Sequence, residues 1–246
     1  MHFTILGQVR MINGDREAIV AAGRCCTVLA TLLLQPNRLV PLGGLIEAVW
    51  PNTAPPTARS QIHTCVSRLR RCLRGIGLDE DLLRTGPDGY VVLVGPAALD
   101  ARVFAGRLAE ARVAAAAGRL TDAARRFREA LALWRGPALA GAVGPQIERA
   151  AGRLEEQRWA AVEERVAIDL ELGGARELIG ELTELVQRQP LRERLRGQLM
   201  LALHRTGRDA EALAVYREGR RLLAAELGLQ PGAELEDLAR RVREGS

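Results

Sequence analysis

Lysine is absent from this sequence: all 35 basic residues among its 246 are arginine. Alanine, leucine and glycine abound alongside, and the arginines occur throughout, so coding bias is the main reading and the absence alone assigns no partner. Where a basic side chain does meet phosphate or guanine, however, it brings bidentate geometry. Histidine is also scarce. His2, His63 and His204 are scattered, and no metal constellation assembles from them. The four cysteines (Cys25, Cys26, Cys65, Cys72) show no Cys-x-x-Cys spacing, and Cys65 and Cys72 fall within or beside helical core positions, so small buried thiols are expected. There is no G-x-S-x-G, no phosphate-binding loop and no histidine beside a plausible nucleophile, so neither an enzymatic activity nor a cofactor is expected. Glu155-Glu156 and Glu163-Glu164 read as a solvated helix face with salt bridges to Arg158 and Arg165 rather than as catalytic carboxylates. The longest apolar run, VLATLLL at 28–34, is too short to span a bilayer, and the N-terminus lacks the pattern of a secretory leader. No membrane role is expected, and a reducing cytoplasm fits.

What is present suits two domains of roughly 100 to 150 residues. Net charge is +5 and the pI about 9.6, which permits a nucleic-acid partner without demanding one. The excess is uneven: residues 1–96 hold ten arginines against seven acids, and that surplus sits in one stretch, TARSQIHTCVSRLRRCLR at 57–74. This reads as an amphipathic helix with five arginines and no acid. At about 100° per residue Ile62, Val66, Leu69 and Leu73 form an apolar stripe, while Ser60, Thr64, Ser67 and Arg71 point the opposite way. Arg59 and Arg70 flank one side and Arg68 the other; Arg74 and His63 complete the polar surface. Flanking arginines beside a row of small hydrogen-bonding groups suit a helix in a DNA major groove, although a plain solvated basic helix has the same outline.

The surroundings favour the first reading. HFTILGQVRMI and EAIV read as short strands around Asn13-Gly14-Asp15, a turn signal. A mostly apolar helix is expected at 24–34, stopped by Gln35-Pro36-Asn37, and a second, short one at 42–50. Pro51, Pro55 and Pro56 stiffen the next loop, and Thr57 is placed to cap the basic helix. Strand-like segments at 82–85 and 90–94 then flank Gly86-Pro87-Asp88-Gly89, a hairpin with Arg84 and Thr85 near its tip. Strands, three helices and a hairpin have the layout of a helix-turn-helix with a β wing. VSRLRRCL (66–73) followed by LRTGPDGYVV (83–92) resembles the OmpR/PhoB-type winged helix. The resemblance implies that Ser67, Arg68, Arg70 and Arg71 lie on the DNA-facing segment, and Arg84 and Thr85 on the wing. Periodicity alone places Arg70 at a flank suited to phosphate and leaves open whether it touches bases. Cys65 departs from the aromatic residue common in that family. No receiver domain is expected ahead of this module, because the sequence starts at its first strand.

Gly95-Pro96 is the expected boundary between a 1–96 domain and an all-helical 97–246 domain, with helices at 100–117, 121–134, 145–172, 175–189, 191–205, 208–225 and 232–243. Gly173 and Gly207 stand 34 residues apart, the tetratricopeptide period. Aligning them pairs Leu178 with Ala212 and Leu182 with Tyr216, with Pro190 where such a repeat ends; Gly118, Ala123, Phe127 and Ala130 show the same offsets. Helical hairpins of this kind bind proteins by surface shape. REALALWRGPAL (128–139), the block at 190–223 and ELGLQPGAEL (226–235) resemble the bacterial transcriptional activation domain. Joined to an OmpR-type winged helix, that domain defines the Streptomyces antibiotic regulatory protein family, and the resemblance covers essentially the whole chain.

Membership would make this a transcriptional activator of a secondary-metabolite gene cluster that binds promoter direct repeats near the −35 element and recruits RNA polymerase holoenzyme, through its sigma factor, with the alpha subunit a further candidate contact. The resemblance suggests sigma contact for the loop carrying Pro51, Asn52, Thr53 and Ala54. A direct repeat implies a head-to-tail homodimer on the DNA with half-sites about one helical turn apart. If roughly five phosphates are neutralised per protomer, log K falls with log salt at a slope of about −4 to −5. A helical-repeat scaffold whose winged helix does not bind DNA is the alternative, distinguished by a lack of sequence preference.

Overall fold

In the computed structural model, which describes residues 2–245, the stretch that is apolar on all sides forms helix α1 (Arg24–Leu34), and every residue from Cys26 to Leu33 is buried. A helix without a polar face has to be enclosed, and α1 is covered by α2 (Leu42–Val49) and α3 (Ala58–Gly75). Asn37, held in the left-handed region at φ 66°, ends the turn after α1: its amide group exchanges hydrogen bonds of 2.8 and 2.9 Å with the backbone of Val94.

Two small antiparallel sheets flank these helices. Strands β1 (His2–Thr4), β2 (Arg10–Asn13) and β3 (Arg16–Ile19) pair in chain order, with Gly14 at φ 58° in the expected turn. The second sheet joins β5 (Leu83–Gly86) to β6 (Gly89–Val92), and β6 in turn pairs with a two-residue strand that sequence gave no sign of, β4 (Val40–Pro41). The hairpin is therefore tied to the helices through β4. Gly89 lies so close to the Val40 carbonyl and Pro41 that a Cβ there would overlap backbone. Leu42 donates from its amide to Asp88 O at 2.9 Å.

Among the described residues seven further helices follow: α4 (Asp100–Ala116), α5 (Leu120–Leu131), α6 (Pro145–Glu171), α7 (Ala175–Arg188), α8 (Glu193–Arg205), α9 (Asp209–Leu227) and α10 (Ala233–Glu244). None is long and apolar enough to cross a membrane. Packing does not divide the chain at residue 96. One unit comprises the residues up to Glu110 together with Arg128–Trp159; the other comprises Ala111–Phe127 and everything from Ala160 onward. The reason is a backbone exchange. Arg135 and Leu139 donate to the carbonyls of Leu6 and Ile5, Ala140 donates to Gly7, and Thr27 Oγ1 accepts from Val143 N at 3.0 Å, so the irregular segment after α5 docks on the first sheet and α1. Asp100, 2% exposed, secures the same region by accepting from Ile5 N at 2.9 Å and Leu6 N at 3.0 Å.

In the second unit, Gly118, Gly173 and Gly207 all adopt positive φ (73°, 91° and 75°) between consecutive helices, and the residues five and nine positions later (Ala123 and Phe127, Leu178 and Leu182, Ala212 and Tyr216) are all buried. The three glycines thus stand at equivalent turns between consecutive helices. The expected solvated acidic face is corrected here. Glu155 does pair with Arg158, at 3.5 Å, but Glu163 and Arg165 are each only 7% exposed; Glu163 holds Arg192 at 3.2 Å, and Arg165 bridges Asp169 and Glu181. Asp169 lies one turn further along α6, but Glu181 on α7 and Arg192 just ahead of α8 are distant in sequence, and local spacing does not reveal them.

Candidate nucleic-acid interface

Helix α3 buries Ala58, Ile62, Cys65, Val66, Leu69 and Leu73, the expected stripe with two additions. Burying that row against α1 and α2 leaves Arg59, Ser60, His63, Thr64, Ser67, Arg68, Arg71 and Arg74 exposed on one continuous surface. Thr57 precedes the helix but does not cap a backbone amide; its hydroxyl accepts from Gln61 Nε2 at 2.8 Å. Ser60 and Thr64 donate back to the carbonyls of Thr57 and Ser60 at 2.8 and 2.9 Å, which leaves their oxygens free to accept from outside.

The arginines divide into two groups. Arg59, Arg68 and Arg71 make no hydrogen bond or ion pair among the described residues. Arg70 is turned inward: its Nε and Nη2 donate to Leu83 O at 2.9 and 2.7 Å, and Nη2 also reaches Thr85 Oγ1 at 2.9 Å. It links α3 to β5 instead of standing at the phosphate flank that periodicity suggested, and it occupies Thr85 as well. Arg74 pairs with Glu80 at 3.2 Å across a largely exposed gap, and Arg84 donates to Asp81 O at 3.3 Å while remaining exposed. His63 Nδ1 lies 2.5 Å from the Tyr90 hydroxyl, a second link between α3 and the hairpin. Burial pushes the Tyr90 phenol up, with Arg70 and Arg59 pulling against it.

Sequence reasoning missed Arg24. It stands over the Trp50 ring at 5.5 Å and bonds Gln61 Oε1, tying the start of α1 to α3. No local pattern announces a contact between residues so far apart in sequence. Pro51, Asn52, Thr53 and Ala54 are all exposed in irregular backbone between α2 and α3.

A helix with an exposed, acid-free row of arginines, braced against a hairpin, is the arrangement expected of a DNA-contacting regulator. Known proteins similar to this chain are transcriptional regulators. Residues 99–243 match the bacterial transcriptional activator domain. The chain is 41% identical over 98% of its length to regulatory protein AfsR of Streptomyces griseus, of which it spans only 24%, and 34% identical to regulatory protein DnrI of Streptomyces peucetius, covering 97% of this chain and 90% of DnrI. Among solved structures, Mycobacterium tuberculosis EmbR in complex with a low affinity phosphopeptide superimposes with a TM-score of 0.92 at 33% identity, covering all of this chain and 65% of that one. The chain belongs to the Streptomyces antibiotic regulatory protein family of transcriptional regulators.

Proposed function

We propose that the chain is a sequence-specific activator whose residues 1–96 act as an OmpR/PhoB-type winged helix and whose residues 97–246 act as a tetratricopeptide-like activation domain. In this reading α3 enters the major groove, with Arg59, Arg68 and Arg71 on phosphates or guanines and Ser60, His63, Thr64 and Ser67 toward base edges. Arg74, Arg84 and Thr85 lie toward the flanking backbone. The observation that carries it is the row of three exposed arginines that make no hydrogen bond or ion pair among the described residues, on an acid-free helix, because such a row adds nothing to folding and suits a polyanion.

Two copies lie head to tail on direct repeats near a promoter −35 element and recruit RNA polymerase holoenzyme, in the service of a secondary-metabolite gene cluster. The exposed loop carrying Pro51, Asn52, Thr53 and Ala54 serves as the sigma-factor contact. Mobility shifts with promoter fragments and their scrambled counterparts test the first part: a clear preference for the native repeat supports it, and equal retention of both favours a protein-binding scaffold. Replacing Asn52, Thr53 and Ala54 together tests the second. Transcription in vitro should drop while DNA affinity holds, and loss of DNA affinity instead refutes the sigma-contact role.

A further inference from the structure

Three of the four cysteines share one cleft of about 580 Å³ between α1 and α3, lined among others by Arg24, Cys25, Cys65, Arg68 and Cys72. Within it the sulfurs of Cys25 and Cys65 are 2.9 Å apart, Cys25 partly exposed and Cys65 buried, and all four cysteines are free thiols. Sequence alone marked these side chains as inert packing. The geometry instead sets a reachable thiol directly on an enclosed one, beside two arginines.

We propose that Cys25 and Cys65 form an oxidisable dithiol site that takes a hydroperoxide and closes into a disulfide joining α1 to α3. A disulfide has its sulfurs about 2.05 Å apart, so closure asks the two helices for a shift on the order of 1 Å. Cys65 is not the first nucleophile: burial, then the hydrogen bond and neighbouring charge of Cys25, push its thiol up to about 12 against the opposing pull of Arg68 and Arg24. The thiolate of Cys25, the side chain open to the cleft, attacks one peroxide oxygen. The O–O bond breaks, Cys25 becomes a sulfenic acid, and the departing oxyanion takes the proton Cys25 gave up, leaving as water from hydrogen peroxide or as an alcohol from an organic hydroperoxide. Cys65 Sγ then attacks the sulfenic sulfur; the S–S bond forms, the S–O bond breaks, and the hydroxyl leaves as water with the Cys65 proton. Two thiols lose two electrons and two protons, and one hydroperoxide is reduced. Cys72 shares the cleft but makes no sulfur contact among the described residues. Cys26 is fully buried, its thiol pushed up to about 11 by burial and the neighbouring Cys25.

The test treats the full chain with stoichiometric hydrogen peroxide, then unfolds and alkylates it. A mass loss of about 2 Da with two thiols protected, reversed by dithiothreitol, is expected. Peptide mapping should place the bond at Cys25–Cys65. Cys25→Ser and Cys65→Ala should each abolish it, while Cys72→Ser leaves it intact. Oxidised wild type should also resist urea better than reduced protein, because the chain between positions 25 and 65 is closed into a loop; the single variants, which fold without the bond, should show no such gain. A bond mapped to Cys26 or Cys72, a bond between two chains, oxygen adducts in place of a disulfide, or four thiols surviving peroxide would each overturn the proposal.

Discussion

Arg68 and Arg70 are two residues apart on the same basic helix, and their substitution should fail in different ways. Arg68 is exposed and makes no bond among the described residues, so on DNA it is free to neutralise a phosphate, and each neutralised phosphate contributes about 0.9 to the slope of log K against log salt. Counting only Arg59, Arg68 and Arg71 gives a slope of about −2.7 per protomer; adding Arg74 and Arg84, whose intramolecular bonds are exposed, extends it to about −4.5. Arg70 drops out because its guanidinium already holds Leu83 O and Thr85 Oγ1. Arg68→Ala should therefore lower the slope by about 0.9. Arg70→Ala should leave the slope unchanged but weaken binding at every salt concentration, by roughly 1 to 2 kcal/mol, because charge-assisted hydrogen bonds to the carbonyl of buried Leu83 and the exposed Thr85 hydroxyl are lost and β5 is no longer fixed against α3. Fluorescence anisotropy on a footprinted promoter fragment, titrated from about 50 to 200 mM salt, separates the two. A drop in slope of about 0.9 in Arg70→Ala, or none in Arg68→Ala, refutes the assignment.

Other consequences concern stability. Asp100→Ala strands the buried amides of Ile5 and Leu6 and should cost roughly 2 to 5 kcal/mol, a fall in melting temperature of roughly 5 to 15 °C; Asp100→Asn, which keeps one acceptor oxygen, should lose less, and equal losses would refute the hydrogen-bond account. In the second unit Gly219→Ala would drive a Cβ into the Cδ and Nε of Arg196, a 2% exposed side chain fixed by the carbonyls of Val215 and Pro190, so a loss of about 1 to 3 kcal/mol is expected in urea unfolding, where an ordinary helical Gly→Ala stabilises. Alkaline conditions should also destabilise the fold. Burial raises Cys65 from 9.0 to about 12 and Cys26 from 9.0 to about 11, so the folded state holds these protons longer than the unfolded state; their contribution is complete below pH 9 and is lost as pH rises through the folded values. Because there is no lysine to deprotonate in that window, thermal melts between pH 9 and 11 should report the buried thiols, and removing them with Cys26→Ala and Cys65→Ala should flatten the profile.

Much of the fold was legible where the signal is local. The helix over 24–34 appears within the very bounds expected, because Gln35-Pro36-Asn37 stops it and its residues are apolar throughout. The later helices fall within a few residues of their expected ends, since Gly118, Gly173 and Gly207 mark turns by requiring positive φ. What escaped depends on distant partners. Val40–Pro41 is too short to carry an alternating pattern, and its strand character comes from β6. The segment around Arg135 to Ala140 has no periodicity at all, yet its backbone groups are satisfied by residues 5 to 7, and this is why the packing ignores the Gly95-Pro96 break. At the interface, rotation about the helix axis placed the serines and threonines correctly on the outer face. It misplaced Arg70, because azimuth fixes where a side chain leaves the helix and not where a long, flexible guanidinium ends.

That distinction bears on why α3 carries positive charge at all. Several arginines elsewhere take carboxylates: Arg112 reaches Glu164 in a bidentate pair at 2.8 Å, Arg208 takes Glu211 at 2.7 Å, and Arg165 joins two acids at once. Within α3, Arg74 reaches Glu80 across an exposed gap, and the inward-turned Arg70 is satisfied by a carbonyl and a hydroxyl, so no acid is needed near it. Arg59, Arg68 and Arg71 therefore contribute only mutual repulsion to the folded unit, modest in water and screened by salt. Adding a glutamate at position 60, 64 or 67 would relieve that repulsion and should raise, or leave unchanged, the stability of the isolated protein. On DNA the same carboxylate would face the phosphates, so Ser67→Glu should fold as well as wild type and lose promoter binding by an order of magnitude or more. Stability and binding moving together in that variant would mean that the outward face of α3 is a structural surface, and the case for DNA on this helix would fail.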